Sequence, residues 1–310
     1  MAGIANATTS NLKLLSENFY EFCKPDNYTV EVIFFHGIQL GQERPENLHL
    51  TTWTTRGDAS QYWPQTFFKL DEYLVESKVR VRALTVRYDA SKMKTGTEGR
   101  LDEFLIAENF IPTIINQRFK VGLTEGVPVF LVGHSFGGLI IKKFLNEAAT
   151  RARRGNSNSK LIGTFLDNLA GVFFYSTPHL ALKDEVVQRL FPSDEQYSDL
   201  VKLLMELNKD VVRLEEEFQK LVSAKAFGKN WGGIQQLGVF EGAETEVESW
   251  KGMILTEGSG RSGTDGGNVI EGVDHFDVCR PTNTGSDSFQ RLANFICERY
   301  QQIKPSSSES

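Results

Sequence analysis

The chain has 310 residues, 40% hydrophobic and 24% charged, which is enough apolar material for one large core and too little charge for a disordered chain. A formal net charge of −6 and a pI near 5.5 argue against a nucleic-acid partner, which calls for a basic face. The three cysteines, Cys23, Cys279 and Cys297, form neither a Cys-x-x-Cys metal pattern nor an even set for disulfides, so a reducing, cytoplasmic setting is expected.

Residues 1–10 carry neither the basic region nor the apolar run of a secretory signal. No apolar segment approaches the roughly 20 residues of a membrane span. The first strand is predicted over 29–35, ending at His36-Gly37. An amphipathic stretch at 67–75 precedes a second strand at 80–88, and 103–119 reads as a helix bent near Pro112. A strand at 127–132 leads through a glycine-rich turn into a helix that runs to about 154. Residues 151–160 read as a polar loop, followed by strands at 169–176, 236–240 and 252–256. A helix at 288–303 and a polar tail at 305–310 close the chain. This alternation implies a single α/β domain over 1–310, with a mostly parallel sheet covered on both faces. In such sheets the chemistry sits at the carboxyl ends of the strands.

Residues 180–232 break the alternation. Leu200, Leu204, Leu207, Val211, Leu214, Phe218 and Leu221 follow one another at spacings of four and three, an apolar stripe on one or two helices. The stripe suits a coiled-coil dimer arm or a helical cap packed on the same molecule. About three heptads are marginal for a coiled coil, so a cap insertion is expected.

The most informative stretch is Gly133-His134-Ser135-Phe136-Gly137, with Gly138 behind it. It lies between a β-branched run and a helical one, the setting of a nucleophile elbow. The serine occupies a sharp turn that admits only small residues two positions away on either side. The helix that follows points its partial positive charge at the place where an oxyanion would form. A serine there needs a base to take its proton and an acid to orient the base. His275, after the last predicted strand, fits the order serine, acid, histidine. His134 lies inside the turn and faces away, His36 looks structural or oxyanion-associated, His49 falls in a polar loop, and His179 is a rim candidate. For the acid, Glu241 directly follows the strand at 236–240, with Glu244 as its alternative. Glu257, Asp265 and Asp274 are less well placed. The oxyanion donors would be the amides of Phe136 and of Ile38, in the loop after Gly37. Residues 258–267 are glycine-rich but lack the Gly-Lys-Ser/Thr of a phosphate loop.

Phe34-Phe35-His36-Gly37, Trp53, Trp63-Pro64, the run at 83–91, Val132 through Lys143, Phe174 through His179 and Asp274 through Pro281 together resemble the serine-active-site-containing protein family of α/β-hydrolases. That family is related to the inositol-deacylase-like lipases. The resemblance spans nearly the whole chain. It implies an α/β-hydrolase fold, lipid or other ester substrates and a role in lipid metabolism. Carried over by position, it implies Ser135 as nucleophile, His275 as base and the acid within Phe240-Glu241. Leu180-Ala181-Leu182 departs from the small residues that follow Pro-His in such relatives, which bears on the acyl pocket. The expected activity is a serine esterase or lipase-like hydrolase acting on a small-molecule or lipid ester, with no metal or organic cofactor. The alternative is a receptor or signalling module that keeps the fold and binds a small ligand or a partner protein. Oligomeric state stays open.

Overall fold

The computed structural model describes residues 12–37, 47–88, 110–114, 116–180, 182–183, 185–187, 198–247, 250–255 and 268–304. An eight-stranded sheet runs through the middle. Its strands are β1 (Lys13–Ser16), β2 (Phe19–Cys23), β3 (Val30–Phe35), β4 (Val81–Val86), β5 (Val129–His134), β6 (Leu169–Tyr175), β7 (Gln235–Glu241) and β8 (Asn268–Ile270). The order across the sheet is β1-β2-β4-β3-β5-β6-β7-β8. The pairs β1/β2 and β2/β4 are antiparallel, and the other neighbouring pairs are parallel. The main helices are α1 (Trp63–Leu70), α2 (Phe136–Ala152), α3 (Ser157–Asp167), α4 (Ser198–Ser223) and α5 (Asp287–Ile303).

The central strands are apolar at successive positions because both of their faces are covered. Alternate side chains enter opposite layers, as the strand period of two requires. On one face, Ile33, Phe35, Leu131 and Phe174 pack with Ile140 and Phe144 of α2 and Phe165 of α3. On the other, Val32, Phe34, Val132 and Phe173 pack with Phe67 and Phe68 of α1 and Phe289 and Ile296 of α5. Each such side chain contributes about 1.5–3 kcal/mol by leaving water. The charged residue inside β3, Glu31, is satisfied locally: it accepts from Arg82 Nη1 at 2.8 Å and from the Gly122 amide at 2.5 Å. Arg82 also donates through Nε to Glu21 at 2.8 Å.

Several elements differ from the sequence expectation. Of the run at 252–256, the described residues 252–255 do not form a strand of this sheet, and Thr256 lies outside them. Trp250–Gly252 instead pairs antiparallel with Thr245–Val247 in a separate two-stranded ribbon. Ile254 and Leu255 are apolar because they are buried, at 4% and 1% exposure, beside the end of β7. The last strand of the sheet is β8, which pairs with β7 through Val269 and Phe240. Residues 151–160 are not a continuous loop, since α3 begins at Ser157. Its cap is reciprocal: Asn156 accepts from the Ser159 amide, and Ser159 Oγ accepts from the Asn156 amide. Within 103–119, only Ile111–Ile114 is helical among the described residues, and turns follow it; residues 103–109 and 115 lie outside them.

The stripe lies on α4. Val211, Leu214 and Phe218 are buried in the layer formed by α2 and α3, and Leu221 packs against that layer. This half of α4 is therefore a wall of the core seated on α2. The side chains of Leu200, Leu204 and Leu207 lie outside those described. Among the described residues no helix is long and apolar enough to cross a membrane.

Candidate active site

β5 delivers the chain to Ser135, whose backbone sits at φ 52° and ψ −124° before α2 begins at Phe136. A side-chain-bearing residue at positive φ is strained, and here packing enforces the conformation. The Ser135 amide donates to Tyr175 O at 2.8 Å, and Gly138 N donates to Ser135 O at 3.1 Å. A Cβ at Gly133 would stand 2.7 Å from Gly138 Cα, and one at Gly137 would stand 2.2 Å from Phe35 O. The spacing of the motif thus follows from how closely α2 folds back on β5 and β3.

Ser135 is half-buried, with its Oγ 2.9 Å from His275 Nε2. His275 Nδ1 lies 3.3 Å from Glu241 Oε1, at the end of β7. An ionised carboxylate only accepts, so Nδ1 carries the proton and Nε2 is left to accept from the serine. The loop that bears His275 is pinned on both sides of the ring: the His275 amide donates to Thr245 Oγ1 at 3.0 Å, and His134 Nε2 donates to His275 O at 2.8 Å. Burial, helped by His275 nearby, lowers His134 to about 3. It is therefore neutral at pH 7 and adds no competing charge.

Burial alone would push the Glu241 carboxyl up. The neighbouring His275, with hydrogen bonds from His275, the Ser176 hydroxyl and the Leu255 amide, outweighs burial and holds it below the ordinary carboxylate range. Glu244 has a different environment: its side chain is 58% exposed and lies 4.0 Å from Lys251 Nζ. Asp274 caps the turn after β8, accepting from the amides of Phe276 and Asp277 at 3.0 and 2.8 Å. Glu257 and Asp265 lie outside the described residues. Glu241→Gln is expected to lower ester turnover by at least ~10-fold, because the neutral amide can present its NH₂ to His275 and reverse the tautomer. Glu244→Gln should stay within about twofold of the parent. Steady-state rates on p-nitrophenyl butyrate check this, and the reverse pattern would move the acid to Glu244.

Phe136 is the first residue of α2, where backbone N–H groups have no intrahelical acceptor. Ile38 lies outside the described residues. Gly37, just before it, approaches the serine so closely that an added Cβ would be 3.0 Å from Ser135 Cβ.

The remaining histidines are buried. The His36 ring stacks on Tyr88 at 3.9 Å and 12°, with Nδ1 2.8 Å from Gly37 O. His49 is not in a polar loop; it is 3% exposed in the short helix Leu48–Thr51, against the Tyr20 ring at 4.5 Å. His179 is not at a rim either. It is 1% exposed and accepts at Nδ1 from Lys142 Nζ at 2.6 Å. Burial, with the Lys142 ammonium beside it, pushes His179 down to about 4. Lys142, on α2, also ion-pairs with Glu215 of α4. Neither this network nor the role of Ser176 was anticipated from the sequence.

The strand order and the strained serine between β5 and α2 define an α/β-hydrolase fold. No family model matches the chain. Among curated proteins it is similar to Protein SERAC1 of Mus musculus, 24% identical over 283 residues, which cover 86% of this chain and 38% of that protein. It is also similar to Protein SERAC1 of Homo sapiens, 25% identical over 244 residues, covering 76% and 33%. The chain thus spans only 38% and 33% of the length of these relatives. Solved structures with some likeness include a lipase-esterase related protein from Clostridium acetobutylicum, 13% identical with a TM-score of 0.42, covering 93% of this chain and 99% of that one. Another is the Bacillus licheniformis lipase BlEst2, 14% identical with a TM-score of 0.43, covering 89% and 97%.

Proposed function

We propose that this protein is a serine hydrolase that cleaves carboxylic esters through an acyl-enzyme. The observation that carries the proposal is the hydrogen-bonded series Ser135 Oγ, His275 Nε2 and Nδ1, Glu241 Oε1, with separations of 2.9 and 3.3 Å. Ser135 Oγ attacks the ester carbonyl carbon while His275 Nε2 takes its proton. Glu241 stays ionised, holds the Nδ1 proton and stabilises the imidazolium. The Phe136 amide, with that of Ile38, receives the negative charge that forms on the carbonyl oxygen. The tetrahedral adduct collapses, and His275 returns the proton to the departing alkoxide. Water, deprotonated by the same histidine, then releases the acyl group. These steps use no metal or cofactor.

Lipid-like esters are the proposed substrates, supported by the motif resemblance to the serine-active-site-containing family. A cytoplasmic setting belongs to the same proposal and rests on the three cysteines, each free and buried. The second reading is a receptor or signalling module that keeps this fold without turnover. A fluorophosphonate probe separates the two. The native protein should be labelled on Ser135, and heat-denatured protein should not. An unlabelled native protein would favour the binding module.

A further inference from the structure

We propose that Ser176 is a positioning residue that fixes the rotation and charge of the Glu241 carboxylate. This rests on the serine-hydrolase reading above and extends it to the segment immediately after β6. Among the described residues, the non-glycine residues at positive φ are Lys78, Lys120, Lys225, Ser135 and Ser176. The three lysines are exposed, at turns where such a backbone is easily accommodated. The two serines lie in the site, and Ser176 has φ 44° and is fully buried. A strained, buried conformation persists only where its surroundings over-determine it.

Here the surroundings converge on Glu241. The Ser176 amide donates to Val239 O at 2.7 Å and so ties the turn to β7. The Ser176 hydroxyl donates to Glu241 Oε2 at 2.5 Å and accepts from the Glu241 amide at 3.1 Å. The other carboxylate oxygen, Oε1, accepts from the Leu255 amide at 2.7 Å and faces His275 Nδ1 at 3.3 Å. The two oxygens thus have separate duties, one held by serine and one turned to histidine. Glu241 is 0% exposed, so no bulk water replaces the donor if the hydroxyl is lost. The carboxylate would then rotate to share its remaining donors or take up a proton, and either response weakens its hold on His275.

Two variants separate this role from a merely structural one. Ser176→Ala removes the hydroxyl and keeps the strain. Ser176→Gly removes the hydroxyl and relieves the strain, so it should be the more stable of the two. Both should lower kcat on p-nitrophenyl butyrate by roughly 10–100-fold with KM within about twofold, as the loss of a charge-assisted hydrogen bond implies. If Ala is impaired and Gly has parental activity, rates follow strain and the proposal fails. Parental kcat in both variants would overturn it equally. Ser135→Ala runs alongside: retained turnover there would defeat the serine-hydrolase reading itself. Dependence on Ser135 with silent 176 variants would defeat only the role of Ser176.

Discussion

Replacing Ser135 by alanine is expected to reduce hydrolysis of p-nitrophenyl butyrate by roughly 10³-fold or more. The expectation comes from geometry. Ser135 Oγ is the hydroxyl that His275 Nε2 contacts, at 2.9 Å. The other serine nearby, Ser176, is fully buried and committed to Glu241. The fold should survive, because the change removes one oxygen from a half-buried side chain and leaves the Ser135 backbone bonds to Tyr175 and Gly138 in place. Circular dichroism and the thermal midpoint should match the parent. A well-folded variant with parental turnover would remove Ser135 from the chemistry.

The second large effect concerns stability. Lys142 is 0% exposed, ion-paired to Glu215 and hydrogen-bonded to His179, with its ammonium 5.1 Å from the centre of the Phe174 ring. Glu215→Gln leaves that ammonium buried without its counter-charge and is expected to cost about 3–5 kcal/mol of folding stability. The double replacement Lys142→Met with Glu215→Met removes both charges and fills similar volume, so it should recover most of the loss. Urea unfolding of the two proteins and the parent measures this. Equal destabilisation by both would mean that packing at these positions, rather than an unpaired charge, sets the cost. The pair bears on the site because it clamps α2, the helix that follows Ser135, to α4 and to the turn carrying Ser176 and His179.

The parts legible in sequence are those whose constraints lie close together along the chain. The turn at Ser135 declares itself because the small residues it demands recur at short fixed distances, whether the backbone they make room for is near, as at Gly133 against Gly138, or distant, as at Gly137 against Phe35 O. β5 and β6 are legible as apolar runs, and β3 as one interrupted at Glu31, because helices cover both of their faces. The order serine, acid, histidine could be read once the strands were placed, and it pointed to His275 and to Glu241 with Glu244 as its alternative; the structure brings Glu241, and not Glu244, beside His275. Features decided by distant partners were hidden. Glu21 in β2 is paired with Arg82, 61 positions away. Lys142 is separated from Glu215 by 73 positions, and nothing local marks either as buried. α3 begins inside a polar stretch, with Ser159 in the place where a capping box usually carries glutamate or glutamine. β8 spans three residues, too few for alternation to register. The run at 252–256 misled for the opposite reason: burial makes a segment apolar whether or not it joins the sheet.

The edge position of β8 has a kinetic consequence. The serine and its histidine are 140 residues apart, so the pair forms only after the last strand has docked, late in a topology rich in distant pairings. Among the described residues β8 is held by β7 on one side alone, and the histidine loop leans on Thr245, His134 and the amides of Gly242 and Ala243. Opening this short edge costs far less than unfolding the central strands. Hydrogen exchange should therefore find the amides of β8 and of the loop to His275 releasing well before those of β5, in molecules whose core remains closed.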